Sequence, residues 1–306
     1  MVNSTELSNS TTTKGALTVE ILGIAVSAVM LPFFVIFVYF MAIILNVFFT
    51  TPQVRETSRY ILFIHMLLND VIYLAISFFL FLFAIYHIIL PIPACLVITC
   101  FSTCTFRITP YNLAVMSLER YMAICHPLRY AELCTAQRSC HAIVYMWMVG
   151  MIPQLANVVA YCCFTDSRTF YFKVICDWRS LELSFQVVIR TFLDTLSFSV
   201  VGMIIAYTYV KVMLVARRMD SEKFASKAGK TLLLHAFQLL LSMLSLTTII
   251  TETYLTSYFR YLPITNFILV MCLPRFASPL IYGLRDEVFG KPMRKPSSCQ
   301  SVHRLT

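Results

Sequence analysis

Seven long apolar runs alternate with short polar stretches along the chain, at approximately 21–48, 60–86, 95–121, 141–161, 185–212, 231–255 and 263–283. A helix needs about 20 mostly apolar residues to cross a bilayer core, whereas a barrel strand needs only about 10. A segment in lipid must also satisfy its own backbone hydrogen bonds. The pattern therefore predicts an all-α membrane protein, a seven-transmembrane helix bundle. Residues 1–20 would be an extracellular N-terminal tail, 21–283 the bundle, and 284–306 a cytoplasmic amphipathic segment and tail. Turn residues and most of the charge fall between the runs.

Composition excludes the soluble alternative. Of 306 residues, 59% are hydrophobic and 13% charged, and the mean hydropathy is +0.77. Soluble domains carry roughly 25% charged residues. Lys and Arg then set the orientation. One face would carry Arg55, Arg59, Arg129, Arg138, the Lys211–Lys230 cluster and the Arg285–Lys295 cluster; the other would carry Lys14, Arg168, Lys173, Arg179 and Arg260. The richer face is expected to be cytoplasmic. That puts the N-terminus outside and the C-terminus inside, in a multi-pass plasma-membrane protein. The net charge of +9 suits anionic lipid headgroups and an acidic protein partner, not nucleic acid. Two sequons, at Asn3 and Asn9, lie on the predicted outer side and are candidate glycosylation sites. The first 18 residues are polar, so the first helix is expected to act as the signal anchor.

Catalytic signatures are missing. No His-Glu-x-x-His, phosphate loop, Gly-x-Ser-x-Gly or metal-spaced Cys/His cluster occurs, and the six His are scattered. The sequence implies neither an enzyme nor a cofactor.

Residues 116–130 read Met-Ser-Leu-Glu-Arg-Tyr-Met-Ala-Ile-Cys-His-Pro-Leu-Arg-Tyr. Adjacent charges at the end of an apolar run are costly and point to a pairing or switching role. The string resembles the end of the third helix and the second inner loop of rhodopsin-like G-protein-coupled receptors, in their odorant-receptor branch. Further strings resemble the fish and amphibian odorant receptors in order: Arg55–Phe63, His65–Asp70, Lys227–His235 and Pro274–Arg285. The chain departs from the family's pattern in places. Ser278 precedes Pro279 where Asn is usual, Met41 stands where the first helix usually has Asn, and the sixth run lacks Cys-Trp-x-Pro.

The resemblance implies roles. Glu119 would hold Arg120 at rest; on activation Arg120 would meet a heterotrimeric G protein while Tyr121, Tyr207 and Tyr282 reorganise, a local latch on a two-state bundle. It pairs Cys95 with Cys176 among the eleven cysteines, although Cys162 and Cys163 also lie near the outer side and spacing leaves them open. Cys299, in the basic tail, is a candidate for lipidation or a plain thiol. Asp70 would be a sodium-coordinating carboxylate, but Arg275 falls at similar depth, so the two are expected to pair.

Intramembrane charges in the outer half are ligand contacts by default. These are Arg107 on the third run, Arg190 and Asp194 on the fifth, and Glu252 on the sixth. Ser102, Thr103 and Phe106 share the wall with Arg107. Arg190 and Asp194 are four apart and able to pair, which would leave Arg107 uncompensated and favour an anionic ligand gripped in two-pronged fashion. The sequence thus reads as a chemosensory receptor for a small-molecule odorant. A small-molecule transporter or channel is the rival class, though such proteins often carry repeats and Gly- or Pro-broken helices, and only seven Gly occur here. A non-olfactory receptor on the same scaffold is the third possibility.

Overall fold

The computed structural model describes residues 4–176, 184–218 and 262–276, together with 237 and 240, and follows residues 4–20 as backbone. Five helices among these residues are long and apolar enough to cross a membrane. They are α1 (Ser4–Thr50), α3 (Ser58–Ile85), α4 (Ile92–Cys125), α6 (Ala136–Phe164) and α7 (Ser184–Arg218). They coincide with the first five apolar runs. Apart from residues 237 and 240, the run at 231–255 lies outside the described residues. The last run is described as far as 276: a helical turn, Leu262–Asn266, passes directly into a π-helix, Phe267–Cys272.

Two short helices, α2 (Pro52–Glu56) and α5 (Pro127–Leu133), join the spans at one end. Each begins with proline, whose fixed φ and missing N–H suit a first helical position. Helix α1 starts at Ser4 rather than near 21. No proline interrupts residues 4–20, so the expected polar tail continues the helix. At about 1.5 Å per residue, its 47 residues extend well past a bilayer core of about 30 Å.

At the opposite end from α2 and α5, strand β1 (Ile89–Pro91) pairs antiparallel with β2 (Lys173–Ile175), with Leu90 opposite Val174. A disulfide joins Cys95 at the start of α4 to Cys176 just after β2. Ile92, Cys95, Leu96, Tyr161 and Cys176 form a small buried cluster beneath this hairpin.

Helix α4 is the axis of the bundle: half of its central stretch is buried, against 17% to 28% in the other four spans. It packs on α3, α6 and α7. The main core gathers Phe37, Met41 and Ile44 of α1 with Leu62, Met66 and Leu67 of α3 and Leu113 and Met116 of α4. The outward surface is rich in Val35, Phe79, Val144, Ile152, Phe192 and Met203. The interior meanwhile buries Asn69, Asp70, Arg107, Asn112, Asp194 and Arg275. Apolar outside and polar inside is the arrangement a hydrocarbon solvent selects. Helices α4 and α6 meet at Gly150, where a Cβ would lie 3.3 Å from Cys104 Sγ. Small residues of this kind let membrane helices approach closely.

Candidate ligand and signalling sites

Three polar layers are strung along α4. The first joins α4 to α6 and α7. The Arg107 Nε atom lies 2.7 Å from Asp194 Oδ1, with both side chains almost wholly buried. Asp194 is therefore the partner of Arg107, and the expectation that Arg107 is the least compensated charge is corrected. A guanidinium on α4 reaches across to α7 because those helices pack tightly along their length; spacing within α7 alone could not reveal that crossing. Arg190, one turn before Asp194, is buried and has interactions of its own. One turn earlier again, Gln186 donates from Nε2 to the Asn157 carbonyl of α6 at 2.9 Å.

Of the other expected wall residues, Thr103 is half-buried and donates to Gln154 Oε1 of α6 at 3.1 Å. Ser102 is half-buried beside it. Phe106 sits between Tyr73 and Phe198, its ring centroid 6.0 Å from each. Glu252 lies outside the described residues. Sequence reading missed Gln154, whose only signal was a lone amide next to Pro153 in an apolar run.

The second joins α3 to α4, through Thr105 and Thr109 on either side of Arg107, and to the segment 262–276. Asn69 donates to the Thr105 carbonyl at 2.8 Å and to Thr109 Oγ1 at 3.1 Å. Thr109 donates to Asp70 Oδ1 at 3.0 Å. Arg275 Nε approaches the same oxygen at 3.5 Å, an ion pair rather than a tight hydrogen bond. The Arg275 guanidinium also lies over the Tyr73 ring, 3.7 Å from its centroid. Asp70 and Arg275 are thus brought together as expected, with Tyr73 as an aromatic support that the sequence did not suggest. Nearby, Trp147 of α6 donates to His65 Nε2 at 3.0 Å, and Asn112 of α4 donates to the Leu62 carbonyl at 2.9 Å. The His65–Asp70 string is therefore a row of interhelical fasteners.

The third, toward the C-terminal end of α4, holds the Glu-Arg-Tyr triplet. Tyr130 of α5 donates to Glu119 Oε1 at 2.6 Å. The resemblance has Glu119 hold Arg120; the structure gives its carboxylate a phenol from α5, which adjacency in sequence does not suggest. Burial pushes the Tyr130 phenol up, and the hydrogen bond and charge of Glu119 push it further. Tyr130 therefore stays protonated, a donor, throughout the physiological range. Burial also raises the Cys134 thiol, with Glu119 adding to the rise and Arg138 opposing it. Tyr121 shares a hydrogen bond with His126 Nε2 at 3.1 Å, and its ring lies 6.1 Å from that of Tyr207. Tyr207 is half exposed, with Lys211 Nζ 5.7 Å from its ring. Tyr282 lies outside the described residues.

The disulfide pairs Cys95 with Cys176 across a Cα–Cα distance of 5.5 Å, and the alternatives Cys162 and Cys163 are free thiols. Asn3, the side chain of Asn9, and Cys299 are outside the described part.

Residues 42–282 match the 7 transmembrane receptor (rhodopsin family) profile. Odorant receptor 131-2 of Danio rerio is 31% identical over 218 residues, covering 66% of this chain and 66% of its own length. Olfactory receptor 2M5 of Homo sapiens is 27% identical over 207 residues, covering 60% and 61%. The thyrotropin-releasing hormone receptor of Gallus gallus is 22% identical over 248 residues, covering 67% and 61%. The chain spans 61% to 66% of the length of these relatives. The chain belongs to the rhodopsin-like family of seven-transmembrane receptors, which are not enzymes. It is a multi-pass plasma-membrane protein with a seven-helix bundle, and odorant and olfactory receptors are among its relatives.

Proposed function

We propose that this chain is a chemosensory receptor that binds a small-molecule odorant at the Arg107 layer and activates a heterotrimeric G protein at the Glu119 layer. The observation that carries this reading is the span of α4 itself. One helix holds a buried charged pair with α7 near its middle and the Glu-Arg-Tyr triplet near its C-terminal end. A change at Arg107 thereby acts on the triplet through one continuous helix. The Asp70–Arg275 pair, tied to the same helix by Thr109 half a turn from Arg107, supplies the two-state coupling that such action needs.

On this reading the N-terminus is outside, with Asn3 and Asn9 as glycan acceptors. Arg120, Tyr121, Tyr207 and Tyr282 form the G-protein switch, and Cys299 is a lipidation site beside anionic headgroups. Ser102, Thr103, Phe106, Arg107, Arg190, Asp194 and Glu252 line the ligand site. The experiment is guanine-nucleotide exchange on an added heterotrimeric G protein in membranes that carry the receptor. Exchange above that of receptor-free membranes is expected, and Arg120→Ala should abolish it at matched surface level. Solute uptake or current that persists without a G protein would instead favour a transporter or channel.

A further inference from the structure

We propose that Phe106 is a positioning residue through which the Arg107 layer acts on the Asp70–Arg275 pair: its ring is a movable seat for the Arg275 guanidinium. This role rests on the receptor reading above and names the side chain that carries the signal. Phe106 precedes Arg107 directly on α4, and its ring is half-buried. On one side it meets Phe198 of α7, with 6.0 Å between ring centroids. Phe198 is 1% exposed and lies one turn after Asp194. Helix α7 therefore bears on α4 through an ion pair and a ring on one face. On the other side Phe106 meets Tyr73 of α3, also at 6.0 Å. The Arg275 guanidinium lies 3.7 Å from the Tyr73 centroid and 5.7 Å from that of Phe106. Two rings and the Asp70 carboxylate thus surround this cation.

The three contacts differ in what can move them. Asp70 and Tyr73 are three residues apart on α3 and travel together. Phe106 is the one of the three that α4 carries and α7 touches. A ring attracts a cation within about 6 Å of its centroid. At 5.7 Å Phe106 stands near that limit, so a small displacement of its ring ends the attraction, whereas Tyr73 is well inside it. Interiors are close-packed, so Phe198 cannot shift without its neighbour. A ligand that presses on the open part of Phe106, or that draws α7 through Asp194, moves the ring. Arg275 is then held less firmly against Asp70, and the resting arrangement loosens.

The test measures nucleotide exchange without ligand, on full-length receptor in cell membranes with added heterotrimeric G protein, at matched surface level. Phe106→Leu keeps an apolar side chain but removes the ring face, and should raise basal exchange about twofold or more. Phe106→Tyr keeps a ring and should raise it far less. In an Arg275→Gln background no cation remains for the ring to hold, and Phe106→Leu should add little. Phe198→Leu should act in the same direction and lose its effect in the Phe106→Leu background. An effect of Phe106→Leu that is equally large without Arg275 would mean that the ring only packs, and would overturn the proposal. So would a tyrosine variant as active as the leucine one. If Phe106→Leu does not reach the surface, thermal melts of detergent-purified receptor run the same cycle with Arg275→Gln: losses that fall short of additivity support the role, and additive losses overturn it. Wild-type exchange no higher than that of receptor-free membranes would remove the receptor reading and this role with it; exchange that is present but additive across the cycle would remove only the role of Phe106.

Discussion

Glu119 and Tyr130 meet at 2.6 Å where the inner end of α4 turns into α5. A hydrogen bond to a charged acceptor contributes about 1.5–3 kcal/mol, so this phenol helps keep the inner end of α4 at rest. Tyr130→Phe should therefore raise ligand-independent nucleotide exchange at matched surface level; unchanged basal exchange would remove Tyr130 from the latch. Asp70 and Arg275 present the opposite case, two buried charges at 3.5 Å. Removing one partner of a buried pair costs about 3–5 kcal/mol, because the other charge is left uncompensated. Asp70→Asn and Arg275→Gln should each lower the thermal unfolding temperature of purified receptor, and the double variant should lose less than the two singles together. Additive losses would mean that the pair is not energetically coupled. Since the guanidinium already stands beside the carboxylate, exchanging sodium for potassium should leave ligand affinity unchanged.

Among the elements, the contact of α4 with α6 depends on a missing side chain. A Cβ at Gly150 would sit 3.3 Å from Cys104 Sγ and 3.6 Å from Ile108 Cγ1. Overpacking of this kind costs about 1–3 kcal/mol. Gly150→Ala should destabilise the receptor, and Cys104→Ala in the same chain should restore most of the loss by vacating the space. Failure of that rescue in a thermal melt would place the strain at Ile108 instead. How much of each element was legible from sequence follows from the same physics. The spans could be read because hydropathy integrates over about 20 residues. The extension of α1 back to Ser4 could not, because polar residues that continue a helix leave no hydropathy signal. The Arg107–Asp194 contact was hidden for a different reason: it joins α4 to α7, and an i,i+4 rule sees only within a helix. Asp70–Arg275 was accessible because two buried charges in a chain this apolar have few other partners. Tyr73 beneath Arg275 was not, since one tyrosine among sixteen carries no positional signal.

For the molecule as a whole, the β1–β2 hairpin and the disulfide close one end of the bundle. Cys95 and Cys176 lie 81 residues apart, so the bond ties the connection between α6 and α7 to the axial helix. Loops of this length gain about 4–5 kcal/mol from closure in the chain-entropy account. Cys95→Ser and Cys176→Ser should each retain the receptor inside the cell, and the double variant should be no worse than either, as surface labelling would report. A double variant worse than both singles would mean that one cysteine acts outside the bond.

The π-helix at Phe267–Cys272 acts as a phase shifter. It spends one more residue in its turn than an α-helix would, so residues 273–276 are rotated by about 100° relative to an uninterrupted helix. Arg275 follows three residues later, and its direction toward Asp70 and Tyr73 is set by that extra residue. Leu269 is half exposed within the π turn, and deleting it should let the segment relax to an ordinary helix and turn the guanidinium out of the core. The deletion should reproduce the destabilisation of Arg275→Gln, and adding Arg275→Gln to it should change the melting temperature little further. A fully additive combination would show that the angular offset and the charge are independent. On this view an inserted residue, not a substituted one, gives the last helix its inward-facing cation.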